Sequence, residues 1–348
     1  MTDATTDAVR EEAAPTMTMA AALNSAFHLA MENNDKIVVL GEDVADPIGG
    51  VFKTSKGLST KFGELRVRST PISEQAIAGA AVGLALGGYR PIAEIMFFDF
   101  ITLAMDQILN HAAKFRYMTG GTTPAPITVT TTIGSSHFGA QHAQSLEAWF
   151  MHTPGINVLY PSTPSDAKGL ITTALESPDP SLLIQHSGLL YSVKEPVPAG
   201  IHRVPLGKAR ILRPGSDATL ITYGTQVAVC MKAAESLAES GVEAEVIDLR
   251  TLVPLDFATV EESVERTRRA VVVHEATEFV GPGAEIAARL NEKLFNELLA
   301  PAVRVGAAYT PVPFSKSLSG YPTVDRVVAK VRGLLGLQSA AGVRPVER

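Results

Sequence analysis

Ala218-Thr219-Leu220-Ile221-Thr222-Tyr223, then helical spacing from Gln226 to Ser240, then Glu245-Val246-Ile247-Asp248-Leu249: this stretch decides the fold. Short apolar runs bounded by turn residues read as buried strands, and the segment between them reads as a helix. The pattern repeats downstream as helix Phe257–Thr267, strand Ala270–His274, helix Ala284–Phe295, strand Ala302–Val305 and helix Val324–Leu335. Strands alternating with helices imply right-handed crossovers and a parallel sheet. The upstream half shows the same alternation. An Ala-rich helix from Thr16 ends near Asn33, and strand Ile37–Leu40 follows. Then come helix Ser73–Gly88, strand Pro91–Met96, helix Asp99–Tyr117 and strand Ile127–Thr132. After a loop over Gly134–Gln141, strands Ile156–Leu159 and Ser181–Gln185 flank a helix near Ser165–Glu176. Between Ser192 and Pro205 the residues Pro196, Pro198, Gly200 and Pro205 interrupt all periodicity, which marks a domain boundary. The predicted fold is α/β, with two doubly wound domains over 16–195 and 206–338. Residues 1–15 read as a polar, disordered tail.

Composition narrows the function. A chain of 348 residues with 46% hydrophobic residues has enough apolar material for two cores. A net charge of −6 argues against a nucleic-acid partner, whose binders carry basic stripes. The single cysteine, Cys230, excludes internal disulfides and thiolate-only metal cages. Residues 1–15 carry acidic groups and no apolar stretch, and the apolar run Ala76–Gly88 is shorter than the roughly 20 residues a membrane span needs. The expectation is a soluble, cytoplasmic protein with no membrane partner. Phosphate-loop, HExxH, GxSxG and paired CxxC motifs are absent. Gly281-Pro282-Gly283 resembles a truncated dinucleotide loop but lacks the third glycine, so a helix-capping turn is the better reading.

Three features carry candidate chemistry. The helix after Glu74 has glycine at positions 79, 83 and 87. Each costs roughly 1 kcal/mol against alanine, which tight packing within the chain or contact with another subunit would offset. Glu74 itself could simply complement a helix dipole. The small apolar residues behind it suggest instead a desolvated carboxylate suited to acid–base work. His137 and His142 lie in a loop after a strand, where α/β folds keep their sites. No third metal ligand is near them, and a single catalytic or substrate-binding histidine is the better reading. Trp149 and Phe150 read as core, and the remaining histidines as structural.

Pro71-Ile72-Ser73-Glu74 and its helix, Gly41-Glu42-Asp43-Val44, Glu94 to Phe100, Ala112 to Met118, Gln141 to Ser145, Pro161-Ser162 with Asp166 to Leu170, and His274-Glu275-Ala276 occur in one order and spacing. Together they resemble the β-subunit of the thiamine-diphosphate-dependent first component of 2-oxo acid dehydrogenase complexes, nearest the pyruvate and acetoin types. The resemblance implies a thiamine pyrimidine-binding domain followed by a transketolase C-terminal-like domain. It implies an α2β2 heterotetramer in which the α-subunit holds magnesium and the diphosphate, and a lipoyl acyltransferase core or other acyl carrier as acceptor. Glu74 matches the glutamate whose carboxyl bonds a pyrimidine nitrogen and promotes the imino tautomer that deprotonates the thiazolium. Phe100 matches the aromatic on the aminopyrimidine, and Met96 a neighbouring contact. His142 matches the histidine that orients and protonates intermediates during acyl transfer. Ile127, Ala174 and Asp179 fall where relatives hold a structural potassium.

This sequence departs from the family at several points. Val129-Thr130-Thr131-Thr132 lacks the usual arginine before the histidine loop, and Ile133 to Phe138 differs from the usual Gly-rich form, with His137 added. Ser69 replaces aspartate and Gln185 replaces glutamate. The cofactor residues stay while the substrate surroundings change. A split transketolase-like enzyme, passing a two-carbon unit from a ketose to an acyl carrier protein, is therefore the alternative.

Overall fold

The computed structural model describes residues 14–134, 138–315, 318 and 320–337. Most of the predicted tail, His137 and the end of the predicted second domain at 338 lie outside them. The chain begins β1 (Thr16–Thr18), α1 (Met19–Asn33), β2 (Ile37–Gly41), α2 (Leu58–Phe62), β3 (Val67–Ser69), α3 (Glu74–Leu86) and β4 (Arg90–Phe97). A 3-10 turn (Phe98–Phe100), α4 (Ile101–Met105), a π segment (Asp106–Ala112) and α5 (Ala113–Met118) then run end to end. The first half closes with β5 (Thr128–Ile133), α6 (Glu147–Met151), β6 (Asn157–Leu159), α7 (Pro164–Glu176), β7 (Ser181–His186) and β8 (Lys194–Pro196). The second half contains β9 (Arg210–Arg213), β10 (Ala218–Thr222), α8 (Gln226–Ala238), β11 (Ala244–Asp248), β12 (Thr251–Val253) and α9 (Phe257–Thr267). It ends with β13 (Ala270–Thr277), α10 (Pro282–Lys293), β14 (Val303–Ala307) and α11 (Val324–Leu334).

Every residue of β2, β5, β7, β10 and β11 is buried, the mark of a parallel sheet covered on both faces. The first sheet has the order β12-β6-β7-β5-β4-β2-β3, and the second β14-β13-β10-β11-β9. Neighbouring strands are parallel except at two edges, where β12 runs against β6 and β9 against β11. The predicted two α/β layers are present. Helix starts follow the sequence: the hydroxyls of Thr18, Thr163 and Thr323 and the Asp256 carboxylate accept backbone N–H bonds at the heads of α1, α7, α11 and α9.

Two departures have physical causes. The predicted single helix from Asp99 to Tyr117 contains a π segment. The buried residues Ala104, Ile108 and Ala112 are four apart, a spacing that drifts off one face at 3.6 residues per turn; the wider π turn brings it back. The Ser192–Pro205 connection is also less loose than its composition suggests. Within it β8 pairs antiparallel with β1, and the buried Lys168 donates to Pro198 O (2.7 Å), Ala199 O (3.1 Å) and Ser25 Oγ (3.0 Å).

The halves share a core. One apolar cluster includes Ile133, Leu146, Phe150 and Tyr160 from the first half and Ile221, Tyr223, Leu249 and Leu252 from the second. Buried polar bonds cross the same junction. Tyr223 donates to Glu147 (2.8 Å), His186 meets Glu275 (3.0 Å), Arg250 donates to Asp166 (2.9 Å), and Ser162 donates to Asp248.

Candidate active site

The carboxyl edge of the first sheet gathers the chemistry, as expected of doubly wound folds. Glu74 opens α3 and is only 5% exposed. Its helix buries Ile77, Ala78, Ala81, Val82 and Ala85. Among the described residues no hydrogen bond reaches the Glu74 carboxylate. Two further buried acids neighbour one another here. Burial and the charges of Glu74 and Asp43 push the Glu42 carboxyl up, and its Oε1 has no partner among the described residues. Burial and the charge of Glu42 push Glu94 up to about 7 against the pull of the Thr54 and Ser55 hydroxyls, which donate to its Oε2.

Beyond β4 the chain turns through the 3-10 segment. Met96, near the end of β4, and Phe100, in that segment, are half-buried, and His142, from the loop after β5, stands against Phe97 and Phe100. The His142 ring centre lies 5.1 Å from that of Phe100 and 5.2 Å from that of Phe97, nearly perpendicular to both. The Asp99 carboxylate accepts from the side-chain amide of Gln144 (2.7 Å) and more weakly from its backbone N–H (3.4 Å). Thus Phe97, Phe100 and His142 come together just beyond the end of β4, the strand that carries Met96, and Glu74 lies on the helix packed against that strand.

A carboxylate of low exposure at the head of α3, and the half-buried rings of Phe97 and Phe100 at the end of the strand it packs on, suit the polar edge and the flat face of a heterocycle. Among the described residues no group of three His, Cys, Asp or Glu side chains is placed to hold a metal.

The two halves of the chain match two known domain families. Residues 15–192 match the transketolase pyrimidine-binding domain, and residues 207–325 the transketolase C-terminal domain. The acetoin:2,6-dichlorophenolindophenol oxidoreductase β-subunit of Bacillus subtilis is 43% identical over 334 residues, covering 92% of this chain and 97% of its own. The pyruvate dehydrogenase E1 β-subunit of Staphylococcus epidermidis is 43% identical over 302 residues, covering 86% and 93%. The chain belongs to the E1 β-subunit family of 2-oxo acid dehydrogenases. Among solved structures, the β chain of a split-gene transketolase, described as an inactive β4 tetramer, superposes with a TM-score of 0.74 at 26% identity. It covers 92% of this chain and 99% of its own.

In this E1 β-family chain the residues matched to a potassium site lie at the other edge of the sheet, at the start of β5 and the end of α7. The carbonyl of Ile127 accepts from Ser181 N–H and that of Ala174 from Ser177 N–H, while Arg116 holds both Asp179 oxygens at 2.7 Å. The family-departure residue Ser69 accepts from Ala45 N–H at 3.0 Å, and Gln185 is buried with Oε1 lacking a partner among the described residues. Gly281 caps α10 with Pro282 in its first turn, as the capping reading expects. A Cβ at Gly281 or Gly283 would lie 2.6 Å from the buried His274 ring. Trp149 is not core. Within the single turn of α6, Phe150 faces inward and Trp149 stays 48% exposed.

Sequence reasoning treated His186 as merely structural, yet it bridges the two halves. Its Nδ1 lies 3.0 Å from Gly188 N, and its Nε2 faces the Glu275 carboxylate at 3.0 Å. Against the effect of burial, His186 and the Thr225 hydroxyl hold the Glu275 carboxyl below its ordinary value. The partners are 89 positions apart, and no local pattern connects them.

Proposed function

We propose that this chain is the β-subunit of a thiamine-diphosphate-dependent dehydrogenase that decarboxylates pyruvate or a pyruvate-like 2-oxo acid and passes the acyl group to a lipoyl carrier. The observation that carries the reading is Glu74: a carboxylate residue only 5% exposed at the head of α3, the helix packed on β4, whose far end carries Met96 and leads to Phe100 and His142. Glu74 would bond a pyrimidine ring nitrogen of the cofactor, and Phe100 and Met96 would pack beside its ring. Bound thiamine diphosphate supplies a carbon nucleophile and an electron sink for decarboxylation. His142 would exchange a proton with the acyl group or its acceptor, with the rings of Phe97 and Phe100 standing edge-to-face against its imidazole. An α-subunit provides the diphosphate and magnesium contacts in an α2β2 assembly. The face of α3 around Gly83 supports such an assembly, because a Cβ there meets nothing within 4 Å. Intrachain packing therefore does not account for that glycine. A potassium ion bound by the carbonyls of Ile127, Ala174 and Asp179 is part of the proposal. Each carbonyl oxygen has a second lone pair, and the end of α7 leaves carbonyls without helical partners.

The likeness to a split-gene transketolase favours a second reading, transfer of a two-carbon unit from a ketose to an acyl carrier protein. Co-purification with the α-subunit, followed by thiamine-dependent decarboxylation of pyruvate and branched 2-oxo acids with an artificial electron acceptor, separates the two. Turnover supports the dehydrogenase. A cofactor-bound complex that is inert to 2-oxo acids but loads carrier from labelled ketose would replace it.

A further inference from the structure

A histidine that moves protons usually has one ring nitrogen fixed by a hydrogen bond, which selects tautomer and orientation. His142 has no such bond among the described residues. Its χ2 torsion, between sp3 and sp2 atoms, is intrinsically broad. Something else must hold the ring. Phe97 and Phe100 lie 6.2 Å apart and nearly perpendicular to one another, and the imidazole stands across both at 85° and 88°. Edge-to-face contacts of this kind are favoured by the ring quadrupoles. Phe97 is the hub, since it also meets Phe52 at 5.9 Å and Phe138 at 5.7 Å. Those two rings come from the loop after β2 and the loop that bears His142. The same turn anchors the histidine's backbone through the Asp99–Gln144 bonds.

We propose that Phe97 is a positioning residue for His142: with Phe100 it clamps the imidazole from two sides and so sets the direction in which its nitrogens face. Phe100 serves the cofactor, whereas Phe97 reaches the chemistry only through the histidine. The proposal rests on the reading of His142 as a proton-transfer group for acyl transfer.

The test is Phe97→Leu, which keeps an apolar side chain but removes the ring, with Phe97→Tyr as the conservative control. In the isolated chain, the His142 ring resonances in a carbon–proton correlation spectrum should shift in Phe97→Leu and return in Phe97→Tyr, while those of His28 and His202 stay in place. In the α–β complex, acyl transfer to a lipoyl domain should fall by about 10- to 100-fold more than decarboxylation measured with an artificial acceptor, since misplacement by about 1 Å can cost that much. Adding Phe97→Leu to His142→Ala should bring no further loss of acyl transfer beyond that of His142→Ala alone. Equal losses in both half-reactions, or additive losses in the double variant, would overturn the positioning role. If His142→Ala alone harms both half-reactions equally, the reading beneath it fails instead, and the resonance shift still reports whether Phe97 holds the ring.

Discussion

Glu147 offers a test of the domain junction. Its side chain is fully buried at the head of α6, with Oε1 accepting from Tyr223 and Oε2 lacking a partner among the described residues. Burial, reinforced by the charge of Glu275, pushes this carboxyl from its ordinary 4.5 up to about 7, against the pull of Tyr223 and His186. Because the folded state binds the proton more tightly than the unfolded chain, the contribution is full below pH 4.5 and is lost as pH rises through about 7. A rise of this size corresponds to about 3 kcal/mol at pH 8, at about 1.4 kcal/mol per tenfold change in proton affinity. Glu147→Gln keeps an oxygen for Tyr223 and removes the charge. The new amide hydrogens cost about 1–3 kcal/mol if unpaired, but equally at every pH. The sole tryptophan, Trp149, lies two residues away and reports the transition directly. Urea unfolding of the isolated chain, followed by its fluorescence from pH 5 to pH 8, should show Glu147→Gln gaining about 2.5 kcal/mol on the wild type as pH rises, since part of the change is already complete at pH 5. Parallel profiles for the two proteins would refute the assignment of a charge cost to this burial.

Other outcomes follow from the same geometry. Glu74→Gln should assemble normally and lose about 10²–10⁴ in thiamine-dependent turnover, and near-normal rates from the assembled variant would contradict its role. Gly83→Leu should fold with unchanged or slightly higher stability, because a leucine is a better helix former and meets no neighbour in this chain. It should fail to co-purify with the α-subunit; unimpaired assembly would remove that face of α3 from the interface. If the carbonyls at the end of α7 bind potassium, melting temperature should rise in potassium chloride over sodium chloride at equal ionic strength, and identical melting would dismiss the ion.

The central strands were legible because they are short apolar runs between turn residues. β5, β7, β10 and β11 need little more than their composition. The short edge strands were not. β3 and β9 are half-exposed and carry arginines, so no apolar run announces them. The one-turn α6 was missed for the same lack of periodicity, and with it the outward direction of Trp149. At the site, Glu74 and its burial could be reasoned from the small residues after it. The partners of His142 could not, because Phe52, Phe97, Phe100 and Phe138 meet only when two loops fold over the end of β4. Likewise, the His186–Glu275 contact is made by the junction of two sheets and has no signature within either.

The antiparallel pairing of β12 with β6 places a strand from beyond the linker into the first sheet. A protease that cut between Ser192 and Pro205 would therefore release no separable fragments, because each piece keeps part of the other's sheet or core. For the same reason, grafting a relative's second half onto this first half replaces an edge of the sheet that carries the active site. Chimeras meant to exchange one half should keep residues 251–253 with the first sheet to which they belong.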